Sequence, residues 1–524
     1  MQFFAGPLKE LAEYEEIQKK RTEKQGMIQI SGCVTSQKTH LMYALGDGFK
    51  RKIIAVSSEL KAKQIYEEYR FLDSDVWIYP AKDLLFYQAD LRGKFLIKQR
   101  MEVYQALLEQ EQVTVITSFD GFMDSLLPLE EMEKRVISLE AGQELDFEKL
   151  KKDMVLLGYE REEQIEGPGQ FAVRGGILDI YPLTEEVPVR IEMWGDEIDS
   201  IRTFDVESQR SIENLESIRI YPATDFPEEQ AKRVSFLDYF DKKTSMLFLD
   251  EPVRLIEKGE SVEEEFVQAQ ANRMECGYAV SDEEMKLFST KEIADKMNQY
   301  YSIGMSALEM KCKEFKTRGL YHLQAKGVNP YNNSFEMLTR DLKQLKRKGY
   351  RAILLSGSRT RAKRLAEDLR DYNLSSFYSE DVEREVNPGE IMVTYGHVTE
   401  GYEYPMIKFI VISETDIFGQ KKKKRKRKVY EGQKIQSFSE LKVGDYVVHE
   451  NHGLGIYQGI EKIEVDKVSK DYMKIAYAAG GNLYIPATQL DLIQKYASAD
   501  AKKPKLNRLG GQEWTKTKTR VRGA

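Results

Sequence analysis

The chain has 524 residues, of which 41% are hydrophobic and 31% are charged, and its net charge is −7 with a pI of about 5.7. A chain of this length exceeds one domain, so we expect about three to five domains with buried cores. The acidic balance excludes a basic nucleic-acid coat protein, and any contact with DNA must come from a local patch. Cys33, Cys276 and Cys312 are too widely spaced for a disulfide framework or a zinc-ligand pattern, so no metal site is predicted.

The N-terminal stretch MQFFAGPLKELAEYEE lacks the basic start and the apolar run of a signal peptide. No window approaches about 18 consecutive apolar residues, so no membrane span is expected. These features predict a cytoplasmic protein in a reducing compartment.

Strands and helices alternate along the first 125 residues, where the apolar stretches MIQIS, KIIAVSS and VWIYPA are separated by helical stretches such as KAKQIYEEYRFL. This alternation predicts a parallel α/β sheet. The pattern then changes to short strands with turns between them, in FAVRGGILDIYPL, VPVRIEMWG and DEIDSIRTFD, which predicts an antiparallel insert. The parallel pattern returns at TSMLFLDEP, and YRAILLSGSRTRAKRLAEDL starts another strand-turn-helix unit.

A basic run separates the α/β units from a compact all-β unit near the C-terminus. The run consists of Lys421, Lys422, Lys423, Lys424, Arg425, Lys426, Arg427 and Lys428. A solvated linker is the simpler interpretation, and contact with nucleic-acid phosphates is the alternative. Beyond the run, VGDYVVHENHGLGIYQGIEKIE and DYMKIAYAAGGNLYIPATQL show strand alternation with glycines at turns, as in a small SH3-like or Tudor-like barrel.

These patterns divide the chain into consecutive segments. Residues 1–125 and 212–335 are predicted to form the two parts of one phosphate-loop-like α/β domain, and residues 126–211 form its β-rich insert. A small α/β domain follows at 336–417 and a basic linker at 418–436. The barrel is predicted at 437–497, and 498–524 is read as the start of a helical linker that is cut short.

The stretch GCVTSQKT, which starts at Gly32, has the length and the Lys-Thr ending of a phosphate-binding loop. In such a loop, backbone N–H groups surround the phosphates, the lysine reaches the β- and γ-phosphates, and the hydroxyl holds magnesium. Lys38 and Thr39 are present. Gln37, however, replaces the last glycine and brings a side chain to the place where backbone should meet phosphate.

An acidic pair, Asp250 and Glu251, ends the apolar stretch MLFLDE. In nucleotide hydrolases, the acidic pair that holds magnesium likewise follows an apolar strand. The sequence therefore predicts a degenerate nucleotide site without ATP hydrolysis and no catalytic residue. An ordinary turn that starts a helix is the alternative interpretation of the loop. The residues of the predicted site are Gly32, Lys38, Thr39, Asp250 and Glu251.

The stretch GQFAVRGGILDIYPLTEEVPVRIEMWGDEIDSIRTFDVESQRS closely resembles a module shared by two kinds of bacterial repair protein. These are the helicase component of the nucleotide excision repair nuclease and the transcription-repair coupling factors. WIYPAKDLLFYQAD resembles the coupling factors. The C-terminal all-β unit and the following stretch LNRLGGQEWTKTK also resemble the coupling factors, in their RNA-polymerase-interacting domain. This domain is a barrel that is shared with CarD-like transcription regulators. The resemblance runs along essentially the whole chain in matching order.

The coupling factors continue into a double-stranded-DNA translocase with an intact phosphate loop, a DExH-type box and arginine fingers, which this sequence does not contain. The resemblance therefore covers the N-terminal half of the family pattern, and it implies ATP and magnesium only for the family's motor, with no cofactor for this chain. The expected fold class is multidomain α/β plus β. It comprises a degenerate helicase-like parallel α/β domain with a β-rich insert, a second small α/β domain and a C-terminal SH3/Tudor-like β-barrel.

The resemblance also implies two protein partners. The insert would recruit the damage-recognition subunit of the excision nuclease, with Ala172 replacing an arginine found in the excision helicase. Arginine suits planar pairing with carboxylates at interfaces, and a solvated strand position is the alternative for each arginine. The candidate contacts are Arg161, Phe171, Arg174 and Arg190.

The barrel would bind the β subunit of RNA polymerase by pairing a strand at an exposed sheet edge. A place in the barrel core is the alternative for each candidate. The candidate contacts are Leu483, Tyr484, Ile485 and Leu490.

Together these implications describe an adaptor that joins stalled RNA polymerase to the excision machinery and binds duplex DNA weakly if at all. Two other functions stay open: a weak ATPase that uses the degenerate site, and a DNA-binding transcription regulator that acts through the barrel and the basic run.

Overall fold

The structure is a computed structural model that describes residues 2–81, 94–224, 233–275, 287–419, 433–434, 441–449, 452–465, 468–486, 493–496 and 506–507. Within these ranges, no helix combines the length and the apolar character needed to cross a membrane. In the same ranges, no group of three His, Cys, Asp or Glu side chains is placed to hold a metal ion.

The N-terminal segment alternates helices with four short strands, and three of these strands are buried along almost their whole length, as expected for a parallel sheet covered on both faces. Ser58 starts one helix as its N-cap, because its hydroxyl accepts the backbone N–H of Lys61. The helices are Gln2–Ala5 (α1), Ala12–Lys20 (α2), Thr35–Leu45 (α3), Glu59–Leu72 (α4), Lys94–Glu109 (α5) and Phe119–Met123 (α6). The strands are Gly26–Ser31 (β1), Arg51–Val56 (β2), Val76–Tyr79 (β3) and Val113–Ser118 (β4).

The insert follows with its own sheet and its own core. Its helices are Leu129–Glu133 (α7) and Phe147–Leu156 (α8). Its strands are Ile137–Glu140 (β5), Glu160–Arg161 (β6), Gln170–Arg174 (β7), Ile177–Tyr181 (β8), Val189–Trp194 (β9), Glu197–Phe204 (β10), Ser211–Leu215 (β11) and Ser217–Ile220 (β12). The six-stranded sheet has the order β11-β10-β9-β8-β7-β6 and is antiparallel except between β6 and β7, while β12 pairs with β5. The antiparallel module thus continues past residue 211.

The first domain resumes after the insert. Its remaining elements are the strands Ser245–Asp250 (β13), Tyr301–Met305 (β14) and Thr317–His322 (β15), and the helices Pro252–Glu275 (α9) and Thr290–Met297 (α10). All pairs in its seven-stranded sheet, of order β15-β1-β14-β13-β2-β4-β3, are parallel. Strands from before and after the insert therefore build one sheet, and β1 and β13 bring their carboxyl ends to the same edge.

The second α/β domain is smaller. Its strands are Lys326–Gly327 (β16), Arg351–Ser356 (β17), Ser376–Tyr378 (β18), Ile391–Tyr395 (β19), Tyr402–Tyr404 (β20) and Phe409–Ile412 (β21), and its helices are Phe335–Arg347 (α11), Arg359–Asp371 (α12) and Glu414–Phe418 (α13). The sheet order is β16-β20-β21-β17-β19-β18. Because β16 pairs with β20, this sheet starts at Lys326, ten residues earlier than the sequence pattern indicates.

One hydrophobic core joins the two α/β domains. Phe4 near the N-terminus, Leu41 of α3 and Phe409 of β21 are all buried in the same cluster. The insert and the C-terminal unit have separate cores. The two α/β domains therefore pack as one body, and the other units do not share that core.

The C-terminal unit is a six-stranded antiparallel sheet of order β22-β27-β23-β24-β25-β26. Its strands are Gln433–Lys434 (β22), Tyr446–His449 (β23), Gly453–Val465 (β24), Val468–Ala476 (β25), Asn482–Pro486 (β26) and Ile493–Lys495 (β27). Strand β22 lies within the stretch predicted as linker. The architecture is the predicted multidomain α/β plus β, with a parallel sheet in the first domain.

Candidate functional site

The turn between β1 and α3 occupies the place of a phosphate loop, but its backbone is already committed to the protein. Gly32 has a φ of 75°, and a Cβ there would lie 1.9 Å from the carbonyl oxygen of Leu323. The N–H of Gly32 donates to Ala307 O at 3.2 Å, and the N–H of Cys33 donates to Ser306 O at 3.1 Å. Only glycine fits at position 32, because the turn packs against the 322–325 segment. Since the N–H groups of Gly32 and Cys33 donate to protein carbonyls, they do not face an open phosphate cradle.

Lys38 is buried with Asp250 and Glu251, the acidic pair that the sequence analysis assigned to the same nucleotide site. Its Nζ lies 2.8 Å from Asp250 Oδ1 and also contacts Glu251, and the side chains of Lys38 and Asp250 are 6% and 3% exposed. Burial lowers the pKa of Lys38, but the two carboxylates together outweigh that effect and leave the pKa raised. Because the ammonium is charged and paired inside the protein, it is not available to a phosphate.

Thr39 is likewise engaged by a residue that the sequence analysis missed. Its hydroxyl donates to Glu68 Oε2 at 2.7 Å, and the hydroxyl of Ser36 donates to the other carboxylate oxygen at 2.6 Å. Glu68 also accepts the N–H of Thr399 from the second α/β domain at 3.0 Å. In sequence Glu68 is an ordinary helix glutamate in YEEYR, so no local signal identifies it. The hydroxyl that would hold magnesium therefore faces a buried carboxylate of α4.

Gln37, which replaces the loop glycine, joins the two domains. The side chain is fully buried; its Oε1 accepts the N–H of Val34, and its Nε2 donates to the hydroxyl of Tyr404 at 3.1 Å. The residues at this position do not fit ATP and magnesium, since the lysine, the threonine hydroxyl and the N–H groups of the first three loop residues have protein partners. These residues form a joint, that is, a buried contact between the two α/β domains. Their arrangement does not support nucleotide hydrolysis.

His40 extends the same joint. Its Nε2 lies 2.8 Å from Phe4 O, which can only accept, so Nε2 carries the proton and Nδ1 accepts the Tyr404 hydroxyl at 3.1 Å. Its ring also stacks on Tyr402. Burial lowers the pKa of His40 to about 4, which the Phe4 carbonyl only partly offsets. The imidazole is therefore neutral at pH 7.

The four candidate contacts on the insert are placed differently from one another. Arg161 and Arg174 are exposed. Phe171 is 1% exposed and lies in the core of the insert. Arg190 forms a two-pronged pair with Asp179, at 2.6 and 2.9 Å, and its guanidinium lies 4.4 Å from the Phe204 ring centroid. The structure thus leaves Arg161 and Arg174 as the accessible pair, while Phe171 and Arg190 support the sheet.

An exposed tryptophan lies near Arg174, and the sequence analysis did not single it out. Trp194, at the end of β9, is 82% exposed. Met193 beside it donates its N–H to Gly176 O, so the turn that follows Arg174 and the turn that follows Trp194 are neighbours. The sequence signal that could have identified Trp194 is a large aromatic residue at the end of a strand, directly before the turn glycine Gly195.

Three of the four C-terminal candidates lie on β26, which is the last strand of the sheet order among the described residues. Tyr484 is 37% exposed, Leu483 is half-buried, and Ile485 is 3% exposed in the core. Tyr484 is thus the most accessible of these three candidates on the edge strand. Leu490 and the basic run Lys421–Lys428 lie outside the described residues.

Comparison with known proteins matches two of these units to families. Residues 137–226 match the UvrB interaction domain, and residues 441–497 match the CarD-like/TRCF RID domain. The first range begins at Ile137, the first residue of β5, and ends beyond β12, the strand that pairs with β5.

Curated relatives match the chain along most of its length. A transcription-repair-coupling factor of Bacillus subtilis is 29% identical over 94% of this chain and 47% of its own length. One from Staphylococcus epidermidis is 28% identical over 86% of this chain and 43% of its own length, and one from Staphylococcus haemolyticus has the same values. The chain therefore spans about half the length of the curated relatives it matches. It carries the UvrB interaction and CarD-like/TRCF RID domains in order, and over nearly its whole length it is similar to transcription-repair-coupling factors.

Proposed function

We propose that this chain acts as an adaptor in transcription-coupled DNA repair. Its C-terminal sheet binds RNA polymerase, and its insert recruits the damage-recognition subunit of the excision nuclease. The observation that carries the proposal is the presence of both matched domains in one chain, each with an accessible surface. The site around Lys38 disfavours the alternative of an ATPase, because its charged groups are paired with one another.

The polymerase contact is proposed to form at β26, where the β subunit of RNA polymerase adds a strand to the sheet edge. Main-chain hydrogen bonds would supply affinity, and Tyr484 would supply a side-chain contact. We further propose that the six strands curl into a small SH3-like barrel, which leaves β26 as the accessible edge.

A pull-down with purified RNA polymerase tests this contact. We expect the 524-residue chain to capture polymerase and a version ending at residue 436 to lose capture. Tyr484→Asp should also weaken capture, because it places a charge at the edge that must become buried. Val443→Asp is the matched control, since Val443 is 70% exposed in the same unit and is not on β26. Equal capture by the full and shortened chains would refute the polymerase contact.

The insert contact is tested separately with the purified damage-recognition protein. Arg161→Glu combined with Arg174→Glu should weaken binding by about 30-fold or more, because exposed interface arginines are frequent hot spots worth about 2 kcal/mol. Biolayer interferometry with the damage-recognition protein immobilised measures the effect. Arg210→Glu is the matched control, since Arg210 is exposed in the turn before β11. Unchanged binding of the double variant would exclude these arginines as contacts.

A further inference from the structure

A cleft lies between the two α/β domains, away from the insert and the C-terminal sheet that the proposed adaptor function uses. It has a volume of about 700 Å³, and residues of α1 and α4 form one wall while the second α/β domain forms the other. Ligand sites of about 300–1,000 Å³ commonly lie between domains. The size and position of the cleft therefore suit a small molecule.

The cleft opens at the carboxyl ends of β17 and β19. These strands are parallel neighbours, and the lining includes Gly357 directly after β17 and Gly396 directly after β19. From β17 the chain crosses through α12 to β18 on one side, and from β19 it continues to β21 on the other side of β17. In open α/β sheets, ligands bind outside the carboxyl ends of strands at the point where connections diverge in this way.

Two arginines face this cleft from opposite domains. The Arg359 guanidinium lies 4.9 Å from the Tyr395 ring centroid, and its Nε donates to Glu380 Oε2 at 2.9 Å, which fixes the orientation of the guanidinium fork. Arg70, on α4, has no carboxylate partner within the described part of the chain, and its guanidinium lies 5.9 Å from the Tyr66 ring. Guanidinium groups placed in this way suit recognition of a phosphate.

Aromatic rings line the same cleft. Tyr395, 40% exposed, meets Phe71 edge to face with ring centroids 6.4 Å apart. A Cβ on Gly396 would lie 2.5 Å from the Phe71 ring, so only glycine allows this ring to pack directly on the backbone. The Tyr395 ring is partly exposed beside the Arg359 guanidinium, and a partly exposed tyrosine beside arginines is a typical stacking surface for a nucleobase.

We propose that this cleft binds a nucleoside mono- or diphosphate, with the phosphate between Arg70 and Arg359 and the base on Tyr395. The carboxylate of Glu67, which also lines the cleft, accepts a ribose hydroxyl. Because the ligand contacts both α/β domains, it stabilises their packing without being hydrolysed. The site is separate from the Lys38 loop.

Isothermal titration calorimetry on the intact chain tests the proposal, with AMP, ADP, adenosine, inorganic phosphate and an eight-residue oligo-dT as probes in magnesium-free buffer. We expect AMP and ADP to bind more tightly than adenosine or phosphate alone. Arg70→Gln and Arg359→Gln should each weaken binding by about tenfold or more, since each removes a charge-assisted contact. Tyr395→Ala should weaken nucleotide binding and leave phosphate binding unchanged.

The control is Arg364→Gln, an exposed arginine of α12 that does not line the cleft. It should leave the affinity unchanged, and thermal melting should show that all variants fold. Binding that survives the combined Arg70→Gln and Arg359→Gln substitutions would place the nucleotide elsewhere and overturn the proposal. Absence of AMP and ADP binding at millimolar concentration would also overturn it, as would binding of the oligonucleotide alone.

Discussion

Replacing Lys38 with methionine is expected to lower the free energy of unfolding by about 3–5 kcal/mol, because it leaves a carboxylate buried without its cation. Asp250 is 2% exposed and cannot regain solvent, whereas Glu251 is partly exposed and still accepts the N–H of Ala307. Urea denaturation, followed by circular dichroism, measures the loss. In a working phosphate loop, the same substitution would chiefly remove nucleotide binding.

Two further variants separate the buried pair from a general effect of losing a lysine. Lys38→Met combined with Asp250→Asn and Glu251→Gln should recover much of the stability, because removing all three charges leaves none unpaired. Lys19→Met is the matched control, since the Lys19–Glu15 pair on α2 is 72% exposed at both side chains and should contribute little. A Lys38→Met protein that keeps its stability but loses ATP turnover would restore the ATPase hypothesis.

Acid should destabilise the joint between the α/β domains through His40. Its pKa is about 4 in the folded chain, against about 6.5 when unfolded, so the unfolded chain binds the proton more readily. The stability from neutral His40 is present above pH 6.5, falls as the pH drops and is lost below about pH 4. One pKa unit corresponds to about 1.4 kcal/mol, so the total loss is about 3 kcal/mol.

The measurement is the free energy of unfolding at several pH values between 7 and 4 for the wild type and for His40→Gln. The wild-type curve should fall more steeply, because glutamine does not titrate. His322→Gln is the control variant, since His322 is exposed and contacts Ser31 at the edge of the first sheet. Parallel curves for the wild type and His40→Gln would show that His40 does not control the acid response.

The sequence predicted those parts of the molecule that depend on local pattern. Alternating strands and helices indicated the α/β units. The acidic pair at the end of an apolar stretch was assigned to the same nucleotide site as Lys38, and the structure brings Lys38 and Asp250 into contact across 212 positions. Strand β13 places that pair next to the loop because carboxyl ends of parallel strands share one edge. Residue type and strand position were sufficient to group these residues, but they did not predict the ion pair that the residues form.

The remainder depends on register and packing, which residue types alone do not reveal. Asp179 and Arg190 are directly opposite each other on β8 and β9, so their pairing becomes evident only when the strand register is known. Tyr404 reaches Gln37 from a strand 367 positions away. Neither β20 nor α3 carries a pattern that identifies the other as its neighbour.

The core shared by the two α/β domains has a mechanical consequence. Tyr404 and Phe409 belong to the same buried cluster as Phe4 and Leu41, so no flexible hinge separates the two sheets. A pull applied where the chain leaves the second α/β domain, at Gly419, is therefore resisted by side chains that reach back to the N-terminus. Such a load passes into the seven-stranded sheet without first stretching a linker between the two α/β domains.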